Sequence, residues 1–155
     1  MADTAITISS LRRQPLSDQE LASTGCNLKY TVLYSDILYG TGASDTVTMT
    51  LGPTPTKWSI DKFLGNVKTA FAGITALTVI VGTTSSTAAL VSSVSLLTAR
   101  MINQAVGVPV LTNTTATASV NLVATFTAAG TGGPAALTAG QLDMYLNMVD
   151  DTLLP

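Results

Sequence analysis

From Leu28 onward, apolar and polar residues alternate with a period of two. Leu28, Tyr30, Val32 and Tyr34 stand against Lys29, Thr31 and Ser35, and Leu33 and Ile37 fall on the opposite side, which predicts a central strand covered on both faces. After the loop Gly40-Thr-Gly-Ala-Ser-Asp45, Val47, Met49 and Leu51 alternate strictly with Thr46, Thr48 and Thr50, the cleanest strand in the chain. Gly52-Pro-Thr-Pro55 ends it, because proline brings no N–H to a ladder. Residues 57–71 fit two periods. Ile60, Phe63, Leu64, Val67 and Phe71 would share a helical face, but Gly65-Asn66 are poor helix formers, and a strand is expected instead. It leads through Ala72-Gly73 into the β-branched run 74–81, as a hairpin.

Further along, Leu90, Val91, Val94, Leu96 and Leu97 fit either a strand or a short helix. Residues 100–113 are irregular, punctuated by Gly107 and Pro109. A long strand is expected over 114–127, with Ala118, Val120, Leu122, Ala124 and Phe126 on one face, closed by Gly130-Thr-Gly-Gly-Pro134. In the last, over 140–149, Leu142, Met144, Leu146 and Met148 form a buried side against a wetter side of Asp143, Tyr145, Asn147 and Val149. Seven or eight strands at this spacing, with turn signals between them, predict an all-β fold: an antiparallel β-sandwich of jelly-roll type over residues 28–155.

Residues 1–27 lack this period. Arg12, Arg13, Pro15, Asp18 and Glu20 cluster with Ser and Gln, so the segment is expected to be an extended N-terminal arm, with a short strand over 5–10 and one helical turn over 18–22. Such an arm either reaches a neighbour or lies on its own domain. Leu11, Arg12, Arg13 and Leu16 are its interface candidates; the arginines could fork onto carboxylates, or could equally be two solvated charges.

Composition narrows the function more than any motif. Only 10% of the 155 residues are charged, and between Thr69 and Gln141 Arg100 is the single charge. Soluble domains carry charges at about 25–35% of their surface, so much of this exterior is neutral hydroxyl surface or is covered by a partner. Interface cores are depleted in Lys, Glu and Asp, and strand edges without guarding lysines invite pairing. The apolar runs are short and broken by Thr and Ser, so no membrane span is expected. The amino terminus lacks the apolar core of a secretory signal, which points to synthesis in a cytoplasm. A net charge of -2 argues against nucleic acid as a partner.

Candidate chemistry is sparse. The chain has no histidine, which removes the commonest general base and the commonest zinc ligand. Cys26 is the one cysteine, without an imidazole to activate it, and reads as a reduced, part-buried thiol. Asp36, Asp45, Asp61, Asp143 and the Asp150–Asp151 pair could supply two carboxylates for glycoside hydrolysis, but few aromatics accompany them, and solvated carboxylates are the expected reading. The glycine loops lack the Lys-Ser/Thr of a phosphate-binding loop. No enzyme activity, cofactor or metal is predicted.

Five stretches, taken in order, carry a resemblance. Tyr34-Ser-Asp-Ile-Leu, Thr46-Val-Thr-Met-Thr-Leu-Gly-Pro, Val67-Lys-Thr-Ala-Phe-Ala-Gly, Leu77-Thr-Val-Ile-Val-Gly-Thr and Leu137-Thr-Ala-Gly-Gln-Leu-Asp-Met-Tyr-Leu resemble small structural proteins encoded by tailed bacteriophages, over about residues 30–149. The resemblance implies a virion protein of β-sandwich type, a capsid decoration or cement protein seated on the major capsid protein, often as a homotrimer of jelly rolls. It does not cover the segment before residue 28. A head or tail fibre module contacting host glycan is the alternative from another class.

Overall fold

The computed structural model describes residues 5–8, 13–39, 45–51, 57–103, 111–113 and 121–150. Among them run β1 (Ala5–Ile8), β2 (Arg13–Gln14), α1 (Asp18–Thr24), β3 (Leu28–Leu33), β4 (Thr46–Thr50), β5 (Trp58–Ala72), β6 (Ala76–Thr83), β7 (Val91–Ser95), β8 (Arg100–Asn103), β9 (Leu111–Asn113), β10 (Leu122–Ala129) and β11 (Ala139–Asp150). They form two sheets. The first has the order β1-β4-β10-β6-β7, the second β2-β3-β11-β5-β8, with β9 pairing the start of β5. The pairings are antiparallel except that of β1 with β4, which is parallel.

The alternation read from the sequence explains why two sheets form and why they face each other. Tyr30 and Val32 of β3, Leu142 and Met144 of β11 and Phe63 of β5 turn inward from the second sheet. Val47 and Met49 of β4, Val79 of β6 and Phe126 of β10 meet them from the first, and all belong to one buried cluster. The chain is an all-β sandwich. Burying an aliphatic side chain of this kind contributes roughly 1.5–3 kcal/mol, so the common core, which neither sheet can close alone, holds the two layers together. The spine of the second sheet is the ladder between β5 and β11, which runs from Ala139 opposite Ala72 to Asp150 opposite Trp58.

Residues 57–71 are strand, as the glycine argument requires. Gly65 lies against Ile102 of β8, whose Cβ would stand 3.0 Å from an added methyl group, so the helix-breaking residue is also a packing residue. The open choice at 90–97 resolves to β7, an edge strand. The expected hairpin between β5 and β6 does not form: the two strands belong to opposite sheets. A glycine turn is compatible with either arrangement, and here both strands deliver apolar residues, Phe71 and Leu77, to one core from its two sides. The strand predicted from residue 114 begins at Leu122; residues 114–120 lie outside the described ones.

The predicted double-covered strand also changes. β3 stops at Leu33, which is exposed, and a 3-10 turn over Tyr34–Ile37 delivers Ile37 into the core by itself. In the first 27 residues, the expected single turn of helix is α1, with two turns. Ser17 and Glu20 cap it reciprocally, and Gly25 ends it with φ +63. Ser17-x-x-Glu20 is a capping-box signature that the sequence carries plainly. The described parts of this segment lie on their own sandwich, β1 at the edge of the first sheet and β2 at the edge of the second.

Two crossings between sheets lock together at one corner. Gly73, with φ +104, bends β5 toward β6, and a Cβ there would stand 2.1 Å from the Ala136 carbonyl oxygen in the turn before β11. Thr138 N donates to Ala72 O at 2.9 Å, and Thr75 Oγ1 donates to Ala129 O at 2.8 Å. Gly73→Ala should therefore cost ~3 kcal/mol through backbone strain and carbonyl overlap. Urea unfolding followed by the emission of the single, fully buried Trp58 measures it: the midpoint should fall with the slope unchanged.

Candidate functional site

Charge divides between the two sheets. The strands β1, β4, β10, β6 and β7 contain no charged residue, whereas Arg13, Lys29, Asp61, Lys62, Lys68, Arg100, Asp143 and Asp150 all lie in strands of the second sheet. The two outer faces therefore have different chemistry.

On the second sheet, Asp143 of β11 lies in register between Thr31 of β3 and Asn66 of β5. Its side chain is 0% exposed. Oδ1 accepts from Thr31 Oγ1 at 2.8 Å and Gln141 Nε2 at 3.2 Å. Oδ2 faces Lys68 Nζ at 3.1 Å and Lys29 Nζ at 3.9 Å as an ion pair, without the alignment of a hydrogen bond. Burial pushes the Asp143 carboxyl upward, but the Thr31 and Gln141 donors and the Lys68 charge outweigh it and hold the group below the usual carboxylate range.

Lys29 carries the cluster outward to α1. Its Nζ lies 2.5 Å from Glu20 Oε1 and 5.6 Å from the centroid of the Tyr145 ring. Tyr145 Oη donates to the same Glu20 oxygen at 3.0 Å, and Ser17 N donates to Oε2 at 3.0 Å. Lys29 first, then the Ser17 backbone, draw the Glu20 pKa down from 4.5 to about 2. Burial, and then the Glu20 carboxylate, push the Tyr145 phenol up. One glutamate thus closes the helix cap and ties the helix to two strands.

The cluster works as a clamp, and a carboxylate held below its usual range beside two ammonium groups is a weak proton acceptor. Cys26 is 1% exposed; burial pushes its thiol up, and Sγ donates weakly to the Thr24 carbonyl at 3.7 Å. Among the described residues no group of three or more Cys, Asp or Glu comes together to hold a metal ion, and no helix is long and apolar enough to cross a membrane.

The outer face of the first sheet is lined mostly by threonine and serine, with Ile80 and the buried Val123 among them. Thr46, Thr127, Thr78 and Ser95 fall in one cross-strand row, and Thr48, Thr125 and Ile80 in the next. Thr48 Oγ1 and Thr125 Oγ1 are 3.2 Å apart and hydrogen-bonded. Loop residues 84–89 fold over one corner of this face, where Gly82 admits them: a Cβ at Gly82 would stand 2.2 Å from Ser86 O. At the edge, β7 exposes Ser92, Ser93 and Ser95 with no charge to repel another strand.

Of the interface candidates, Leu11 and Arg12 lie outside the described residues. Arg13 is in β2, in register with Tyr30, and Leu16 is half-buried between β2 and α1, so these two come to the edge of the second sheet. The reading of the aspartates as solvated holds at Asp61, which is exposed, and needs correction at Asp143, Asp45 and Asp36; Asp151 lies outside the described residues. Asp143 and Asp45 are buried, and Asp36 caps the 3-10 turn by accepting from Leu33 N at 2.8 Å. Asp61 accepts from Asn147 Nδ2 at 2.8 Å. The expected wetter side of β11 is likewise covered at Asp143 and Tyr145, because side chains from β3, β5 and α1 close over it. Sequence reasoning missed Glu20 as the residue that joins these elements; the capping-box spacing marks its local role, and nothing local marks its contact with Tyr145. Of the aromatic residues Tyr39 alone is exposed, at 47%. No protein-family model and no curated protein matches the chain.

Two expectations follow for the clamp. Glu20→Gln should cost about 1–2 kcal/mol at neutral pH, the worth of hydrogen bonds to a charged group. Because the folded pKa is lowered, that stabilisation is complete above pH 4.5 and is lost as pH falls toward about 2. Urea midpoints of the two proteins should converge across that window. Asp143→Ala should cost about 1–3 kcal/mol by leaving the half-buried Thr31 and Gln141 donors without their acceptor, with Asp143→Asn losing less; differential scanning calorimetry ranks the pair.

Proposed function

We propose that this chain is a structural protein of a virus particle, a decoration or cement protein that binds the major capsid protein of a tailed bacteriophage head and associates with itself, as a homotrimer. The observation that carries this reading is the division of charge. A sandwich that concentrates its strand charges on one sheet leaves the other face without electrostatic resistance to being covered. Five strands about 4.8 Å apart, at about 3.3 Å per residue over four to eight residues, present roughly 300–600 Å² before side-chain relief. A stable interface needs about 800 Å² per partner, so this face with one flanking element is of suitable size.

Nesting of the strands supports the finer reading of the sandwich as a jelly roll. β3 and β11 pair, as do β4 and β10, and among the connections joining β3 through β8 only β6 to β7 stays within one sheet. Such folds recur in capsid and lectin domains, and fold alone does not choose between those uses. Here the site favours assembly. A glycan-binding fibre module stacks sugars on exposed aromatic faces, and this chain offers only Tyr39. Its site would be the virion, its assembly in the host cytoplasm, with no enzyme activity and no cofactor.

Light scattering of the purified chain, followed by co-sedimentation with undecorated phage heads, tests the reading. A trimer that pellets with the heads and raises their melting temperature is the expected result. A monomer at high concentration that stays in the supernatant would sink it.

A further inference from the structure

α1 and β2 are held to the sandwich by contacts that another copy of the chain offers equally well. No residue of α1 is buried, and Leu21, its one large aliphatic residue, is 49% exposed. The helix is fastened instead through Glu20, at Lys29 Nζ and Tyr145 Oη. β2 adds two residues to the edge of β3, and β1 adds a short parallel ladder to the edge of β4. Among the described contacts, those that fasten α1 and β2 are polar or main-chain and lie on an outer face or at a sheet edge.

The joint between this segment and the body is equally plain. Asn27 grips the backbone of β11: its Nδ2 donates to Met148 O at 2.6 Å, and Met148 N donates to its Oδ1 at 2.9 Å. Cys26 beside it is buried. The body therefore begins at Cys26 and Asn27, and Gly25, with φ +63, is the swivel that precedes them.

We propose that α1 and β2 exchange between copies of this chain, so that Glu20 of one subunit docks on Lys29 and Tyr145 of its neighbour while β2 extends the neighbour's β3. The proposal rests on the assembly reading above and adds the means by which subunits are fastened. Exchange of an identical element needs no new contact chemistry, and it keeps the edge of β3 paired while joining two subunits. The tether at Gly25 keeps the segment near its acceptor, which favours exchange once subunits are side by side.

The Glu20–Lys29 contact is short enough for zero-length coupling, and this makes the exchange measurable. Unlabelled and 15N-labelled full-length chains are unfolded together, refolded, treated with a carbodiimide and digested, and the Glu20–Lys29 peptide pair is weighed by mass spectrometry. Exchange predicts mixed-isotope pairs at about half of the coupled product, the statistical share for closed exchange. Lys29→Ala should abolish that pair. Same-isotope pairs alone, in protein that light scattering finds oligomeric, overturn the exchange and leave the assembly reading standing. Same-isotope pairs in a monomer overturn both.

Discussion

The ionised carboxylate of Asp143, without solvent contact on the outer face of a sheet, sets the terms for everything around it. A bare carboxylate there would cost several kcal/mol in lost hydration, so the fold must bring donors to it. Thr31 comes from β3, Lys68 from β5 and Gln141 from β11 itself, and Lys29 stands close enough to add its charge. Lys29 in turn needs a second anion because Asp143 already faces Lys68, and Glu20 supplies it. The position of α1 follows from that chain of electrostatic demands, since no apolar residue of the helix is buried.

Much of the sandwich could be read from the period-two alternation alone. The inward set of β11, Leu142, Met144, Leu146 and Met148, and the inward set of β4 are the residues the pattern names. Alternation says which side chains share a face; it does not say what lies on that face. Tyr145 is covered by a residue 125 positions away, and no local signal encodes that distance. The corner at Gly73 makes the same point for topology, because a tight glycine turn can join two strands of one sheet or carry the chain to the other. Ile37 is a third case. It reaches the core from a 3-10 turn, where the strand pattern had already ended.

The two sheets divide the molecule's work. At the centre of the second sheet charges meet one another across β3, β5, β11 and α1, through Asp143, Lys68, Lys29 and Glu20. The first sheet has neither charges to satisfy nor charges to repel. Its threonines bond across strands, as at Thr48 and Thr125, and present methyl groups and hydroxyls together. Such a face is compatible both with water and with another protein surface.

The nested order of strands has a consequence for how the protein is made. β11 enters the second sheet between β3 and β5, and β10 enters the first between β4 and β6. On a ribosome, the early strands emerge long before the late ones that belong between them, so the nascent chain holds two gapped half-layers until its carboxy-terminal portion arrives. Sparing use of lysine leaves those waiting edges poorly defended, and the interval between translation of β5 and of β11 is when the polypeptide is most exposed to misassembly with its own siblings.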